Sequence, residues 1–248
     1  MIYICSDIHG LYDRYEKLLK EIDLQDSDTL YILGDMIDRG PDGIRILMDM
    51  IDRPNVIGFL GNHEHMMMMY LFGYDTVSWL LPFNGGKETL KAFEKLSIDD
   101  KRKILEYLDK ICVVKYLTVA GHRYCLTHVG IYDKQEDLYC NFTAKGTNVK
   151  MLQDLVWGEK QYALGMIGTC PEELCPTTYL TGHIMTRRYA DDPMEADDEI
   201  VTAVFSNGCR YVDLDCGCAL GDGMGKLACV TIDEETGELD LENALYID

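Results

Sequence analysis

No apolar run in this 248-residue chain approaches membrane-spanning length. Basic residues are also scarce, with 23 Lys and Arg against 43 Asp and Glu for a formal charge of -20. The first absence excludes a bilayer-spanning helix, which needs about 20 consecutive apolar residues. The second excludes a nucleic-acid backbone as the main partner, because binding phosphates electrostatically needs clustered Lys and Arg. Neither a basic leader nor a cleavage signal precedes the first apolar run, which begins at Ile2. The expected location is therefore the cytoplasm, with no membrane partner. Pro/Ser-rich linkers and low-complexity tracts are lacking too. One large domain over residues 1–248 is expected, a length able to bury roughly 70–75% of its unfolded surface.

Cysteine, by contrast, is plentiful. Ten in a reducing compartment are expected as thiols rather than bridges. Cys170 with Cys175, and Cys216 with Cys218, suggest zinc ligands. Neither spacing matches the usual knuckle patterns, so small buried hydrophobes are the expected role.

Three segments near the N-terminus share one grammar of apolar strand, polar loop and helix-like stretch. The strands are residues 2–5, 29–33 and 56–60; the loops are Ser6-Asp7-Ile8-His9-Gly10, Gly34-Asp35-Met36-Ile37-Asp38-Arg39-Gly40 and Gly61-Asn62-His63-Glu64. Asp7, Asp35 and Asn62 fall 28 and then 27 residues apart, one per unit. Parallel strands joined by helices place such loops along one sheet edge, where ligands bind. Helix-like spacing covers residues 11–22 and 42–51, and 64 to about 109 is mostly helical with a break at 82–86, giving a helical excursion around 74–108. After Ile111 come short β-rich runs at 113–119, 124–127, 178–181, 200–205, 210–214 and 227–232. The expected fold is α/β: an α/β half and a mostly antiparallel β half, packed as a two-sheet sandwich of mixed strands flanked by helices, with the site at the seam.

Asp7 and His9 sit two apart at a strand end, where alternate residues point the same way, so a carboxylate oxygen and an imidazole nitrogen can reach one ion. Alone, Asp7 would read as a helix N-cap. Counted with Asp35, Asn62, His128 and His183, each just past a strand-like run and beside Gly, it reads as a ligand. These oxygen and nitrogen donors, with no thiolate, suit Mn²⁺, Fe or Zn²⁺. Six ligands exceed what one catalytic ion with open positions takes, so two divalent ions are expected. Two such ions, less Asp7, Asp35 and a shared hydroxide, reverse the local field of an acidic chain before Arg39 is counted. Arg39 offers a planar fork matching two phosphate oxygens, and Asp38 can hold a proton on the imidazole of His63. His65 and His122 are not expected as ligands, Glu64 is expected only to favour the positive end of the following helix, and residues 191–199 are expected as a solvated acidic loop.

The three loops, with the later His128 and His183, resemble those of the phosphoprotein phosphatases within the calcineurin-like metallophosphoesterases. Residues 79–86, ending Asn84-Gly85-Gly86, and Asp215-Cys216-Gly217 with Gly225-Lys226-Leu227 resemble the bacterial and phage branch in particular. The resemblance covers nearly the whole chain. It implies that Asp7, His9 and Asp35 hold one metal and that Asp35, Asn62, His128 and His183 hold the other. It also implies that Arg39 and Asn62 contact phosphate and that His63, oriented by Asp38, is the general acid. Relatives in this branch carry a second phosphate-binding Arg shortly after a Trp. Here Trp157-Gly158-Glu159-Lys160 stands in that place, which nominates Lys160, with Arg187 and Arg188 past His183 as alternatives.

The activity so implied is hydrolysis of phosphomonoesters, foremost as a serine/threonine or dual-specificity protein phosphatase. Cleavage of diadenosine polyphosphates or another small phosphoester is the alternative. Proteins with that activity are similar around Asp7 and His9, but tend to lack an acid at the place of Asp38 and to have Asp at that of Glu64. A non-catalytic phosphate-binding scaffold ranks last, since no ligand is missing.

Overall fold

The structure is a computed structural model that describes residues 1–129, 142–143, 149–158, 167–168, 170, 172–195, 197–221 and 223–248. Strands β1 (Ile2–Cys5), β2 (Thr29–Ile32) and β3 (Val56–Gly58) run parallel. Helices α1 (Tyr12–Glu21) and α2 (Gly43–Asp52) link them. Each linking helix buries one apolar face, such as Tyr15 and Leu18 of α1 and Ile46, Leu47 and Met50 of α2. Three further helices, α3 (Asn62–Leu71), α4 (Gly86–Glu94) and α5 (Ile98–Lys110), follow β3, with a 3-10 turn at Ser78–Leu80. Ser97 caps α5 by accepting from Asp100 N at 3.1 Å.

The second half builds another sheet from β4 (Cys112–Val119), β5 (His122–Thr127), β6 (Phe142–Thr143), β7 (Thr178–Thr181), β8 (Val201–Val204) and β9 (Arg210–Asp213), with α6 (Val149–Trp157) between β6 and β7. Strands β10 (Leu227–Ile232) and β11 (Leu239–Ile247) return to the first sheet, whose order is β11-β10-β1-β2-β3; the second runs β6-β4-β5-β7-β9-β8.

The second half differs from the expected antiparallel arrangement. β5 pairs with β7, and β7 with β9, in parallel; only the outer pairings are antiparallel. Long connections separate β5 from β7 and β7 from β9, so each chain segment can return to the same sheet end before the next strand starts. Strand β11 and helix α6 were not anticipated. β11 is a half-exposed edge with Asp240 and Glu242 facing solvent, a pattern that weakens its apolar signal.

The sheets face each other across a core of Ile2, Ile4, Leu33, Leu126, Leu180, Val212 and Val230. Cys5, Leu30 and Ile32 alternate to the other face and join Tyr15, Leu18 and Leu47 of the helices in a second core. Truncating a fully buried residue such as Ile4 to Ala is expected to cost about 2–5 kcal/mol. Both parallel triplets, β1-β2-β3 and β5-β7-β9, send their C-terminal ends to the seam, which fixes where the loops meet. Among the described residues, no helix is long and apolar enough to cross a membrane.

Candidate active site

The loops after β1 and β2 are stitched together by backbone. His9 N donates to Asp35 O at 2.8 Å, Gly10 N to Met36 O at 2.9 Å and Gly40 N to His9 O at 2.9 Å. Asp7, His9, Asp35, Asp38, Arg39 and His183 all take positive φ, between 50° and 72°. Such conformations cost non-glycine residues of order 1–3 kcal/mol each and persist only where neighbours over-determine them. Their concentration in the residues nominated from sequence marks a backbone held for its side chains.

Glu64 supplies much of that hold, a role the sequence reading missed. Its Oε2 accepts from Gly61 N (3.0 Å) and Asp35 N (2.9 Å), and its Oε1 from Met36 N (2.8 Å) and Ile37 N (3.2 Å). One carboxylate thus pins the β2 loop to the start of α3. Burial pushes Glu64 up to about 8, while the backbone donors favour its charged form.

Asp35 lies at the centre. His9 Nε2 and His63 Nε2 stand 3.7 and 3.9 Å from its Oδ2, and His128 Nε2 is 3.5 Å from its Oδ1. Burial raises the Asp35 pKa, but His128, His63, His9 and His183 outweigh that and hold it below the usual carboxylate range. His9 Nδ1 faces Ile37 O (3.3 Å) and His128 Nδ1 faces Leu33 O (2.7 Å), contacts that assign the proton to Nδ1 and turn each Nε2 lone pair inward. Burial lowers the pKa of both, and with neighbouring His128 it takes His183 down to about 3, so these rings are neutral near pH 7, the form a metal would need.

Asn62 stands 3.1 Å from His128 Nε2 and 3.0 Å from His183 Nδ1. With its oxygen inward it meets only acceptors; with its nitrogen inward, two N–H protons face those rings and both oxygens of Asp35. Either way a lone pair is left over. Asp7 is fully buried; its Oδ2 accepts from His183 N (3.0 Å) and from the Ser6 hydroxyl, while its Oδ1 has no hydrogen-bond partner among the described residues and lies 3.9 Å from His9 Nε2. Gly182 makes this approach possible, since a Cβ there would run into Asp7 Oδ2 and Ser6 Oγ. Burial, together with Asp215 and Asp35, pushes the Asp7 carboxyl up, and burial takes Asp215 up to about 7. Surplus lone pairs and crowded buried acids are what divalent cations satisfy, so the residues present fit a metal centre.

Two ligand groups, His9/Asp35/His63 and Asp35/His128/His183, each lie within 4.8 Å and share Asp35. His63 falls within reach of the first group, where the expected ligand was Asp7. It is also tied elsewhere: Nδ1 is 2.7 Å from Asp38 Oδ2. Burial lowers the His63 pKa, but Asp35 and the hydrogen-bonded Asp38 prevail and raise it. Asp38 in turn accepts from Trp79 Nε1 at 2.7 Å and from Thr89 Oγ1 at 2.6 Å. The helical excursion therefore reaches back to the site. Gly86 permits it, because a Cβ there would come within 2.5 Å of Trp79 Nε1. Arg39 Nη1 and Nη2 lie 3.0 Å from His9 Nε2 and 3.3 Å from His63 Nε2, placing the guanidinium over the same opening.

Of the remaining nominees, Lys160 lies outside the described residues. Arg187 is engaged in a two-pronged pair with Asp198, whose second oxygen also accepts from Gly225 N. Asp198 is thus buried, and the acidic stretch is not wholly solvated as expected. Arg188 is exposed, and its charge bears on His183 and Asp215. His65 is buried against Trp157 Nε1 at 3.5 Å, and His122 is exposed at the start of β5. Asp215, just past β9, stands level with His183 past the neighbouring parallel strand β7; only its motif with Gly217 was visible in sequence.

A two-sheet sandwich thus carries a cluster of Asp, His and Asn side chains at its seam. Residues 1–208 match the calcineurin-like phosphoesterase family, and the chain belongs to it. Among curated proteins it is similar to the symmetrical bis(5'-nucleosyl)-tetraphosphatase of Delftia acidovorans, 42% identical over 133 residues, or 52% of this chain and 44% of that protein. The enzyme of the same name from Legionella pneumophila strain Lens is 32% identical over 112 residues, or 44% and 37%. The chain thus spans less than half the length of these relatives. Among solved structures, one ascribed to a diadenosine tetraphosphatase superposes with a TM-score of 0.59 at 16% identity, covering 99% of this chain and 92% of that one. A serine/threonine phosphatase of Saccharomyces cerevisiae gives 0.58 at 13%, covering 99% and 78%. Similarities this remote establish the fold.

Proposed function

We propose that this chain is a dinuclear-metal phosphohydrolase that cleaves dinucleoside polyphosphates, of the diadenosine tetraphosphate kind, at the central anhydride. The pair of ligand groups sharing Asp35 is the observation that carries it. Asp7, His9 and Asp35 would hold one divalent ion, and Asp35, Asn62, His128 and His183 the other, with Mn²⁺, Fe or Zn²⁺ suiting these donors. When bound, such ions activate water and neutralise charge on phosphoryl oxygens. Arg39, placed over the opening, grips two further oxygens of the phosphate chain. Asn62 borders the same opening and fixes the phosphate's orientation, and Glu64 keeps the loops of Asp35 and Asn62 in register. The name shared by the curated relatives supports this substrate class over the protein phosphatase expected first from sequence.

The protein phosphatase reading keeps one specific observation in its favour, the 2.7 Å contact of His63 Nδ1 with Asp38 Oδ2, which stabilises the protonated ring and so a donor proton at Nε2. Splitting a phosphoserine expels an alkoxide, a poor leaving group that needs a proton donor. Splitting a tetraphosphate bridge at its centre expels a nucleoside diphosphate, already a stable anion.

Rates on diadenosine tetraphosphate, a phosphoserine peptide and p-nitrophenyl phosphate, measured side by side with Mn²⁺, test the choice. The proposal predicts ADP as the nucleotide product and a kcat/KM at least tenfold above that on the peptide. The reverse ranking selects the protein phosphatase. Turnover of none of the three would leave the phosphate-binding scaffold.

A further inference from the structure

Away from the active site, two thiols five residues apart meet a third 34 residues further on. Cys170 and Cys175 lie on the segment leading into β7, and Cys209 closes the hairpin loop between β8 and β9. Cys175 Sγ and Cys209 Sγ are 3.5 Å apart, and all three sulfurs lie within 4.8 Å of one another. Cys209 is buried and the other two are half-buried. The Cys170/Cys175 spacing was too wide for a knuckle on its own. The missing partner is Cys209 and not Cys216 or Cys218.

We propose that Cys170, Cys175 and Cys209 form a second metal site, a thiolate site that takes Zn²⁺. A tetrahedral ion with Zn–S bonds of about 2.3 Å holds its sulfurs roughly 3.8 Å apart, within the spread found here. A redox pair would use only Cys175 and Cys209, whereas Cys170 Sγ, 3.2 Å from Tyr179 Oη, brings a third sulfur to the same point. Thiolate donors also set this site apart from the oxygen and nitrogen ligands of the active site, so a hard ion such as Mn²⁺ fits that site and not this one. Its place in the fold gives it a structural task. β7 and β9 are parallel with Thr178 opposite Arg210, so the cluster sits at their N-terminal ends, while His183 and Asp215 follow their C-terminal ends. β7 spans roughly 13 Å at about 3.3 Å per residue, which separates the two sites. An ion there would fasten the segment before β7 to the β8–β9 hairpin and fix the strand that delivers His183. Burial raises all three thiols, so binding must displace protons and should tighten with rising pH. Arg123 favours the Cys175 thiolate.

Co²⁺ titration of the reduced, chelator-treated full chain tests the site, because the active site has no sulfur ligand. The expected result is a near-ultraviolet thiolate-to-cobalt absorption that saturates at one equivalent per chain and is displaced by Zn²⁺. It should fall at least tenfold in Cys175→Ser and in Cys209→Ser, and persist in Asp35→Asn and Cys112→Ser. Should a serine variant fail to fold, alkylation of the wild-type chain answers the same question: Zn²⁺ should protect Cys170, Cys175 and Cys209, but not Cys112. No thiolate absorption in the wild type, its persistence in both serine variants, or equal alkylation with and without Zn²⁺ would overturn the site.

Discussion

Trp79 Nε1 donates to Asp38 Oδ2 at 2.7 Å, across 41 residues of sequence, and meets His63 Nδ1 on the same oxygen. The helical excursion therefore reaches into the candidate site, holding the carboxylate that holds the imidazole. His63→Asn should lower kcat on a phosphoserine peptide by ~10²–10⁴-fold, with a much smaller loss on diadenosine tetraphosphate, and leave metal content intact. Trp79→Phe removes one donor to Asp38 and should cost about tenfold on the peptide, or about 1.4 kcal/mol. The sign of the pH effect follows from the raised His63 pKa: the acid form is present below it and is lost as pH rises through it. Asp38→Asn should move that descending limb to lower pH for the peptide only. A kcat–pH series on both substrates checks all three variants.

Glu64→Gln is a near-isosteric change with a large expected effect. Each carboxylate oxygen receives two backbone N–H groups, so either orientation of the amide sets its NH₂ against two donors. Urea unfolding should reveal a loss of about 2–4 kcal/mol. A loss under 0.5 kcal/mol would mean that the loops hold their register without Glu64.

The second phosphate-binding cation can be assigned by KM. Arg187 is locked to Asp198, so Arg187→Ala should act on stability, while exposed Arg188 can swing toward the phosphate chain. Arg188→Ala should raise KM several-fold with kcat little changed, the mark of ground-state binding. If Lys160→Ala raises KM instead, the role belongs to the segment after Trp157. No effect in either leaves Arg39 and the metals to bind phosphate alone.

Much of this was legible in the sequence because local patterns and local structure agree. The apolar runs at 2–5, 178–181 and 227–232 coincide with β1, β7 and β10, bounded by polar loops that cannot continue a strand. Asp7, His9, Asp35, Asn62, His128 and His183 were named from spacing and resemblance, and the seam does gather them. What escaped depends on tertiary placement. The parallel order β5-β7-β9 is set by where crossovers return, the grip of Glu64 is on backbone of another loop, and Asp215 shows its place only once β9 lies beside β7. Cys209 joins Cys170 and Cys175 for the same reason, since a hairpin brings it there.

The proposed two-metal site sharing Asp35 is tested most directly by equilibrium Mn²⁺ binding to the chelator-treated chain, with hydrolysis of diadenosine tetraphosphate followed on the same samples. Mn²⁺ avoids the thiolate site and reports the oxygen and nitrogen ligands. Two equivalents should bind, activity should require both, Asp7→Asn should weaken one ion more than the other, and Asp35→Asn should weaken both. Full activity with a single bound ion, or two ions still bound tightly in Asp35→Asn, would contradict the bridge.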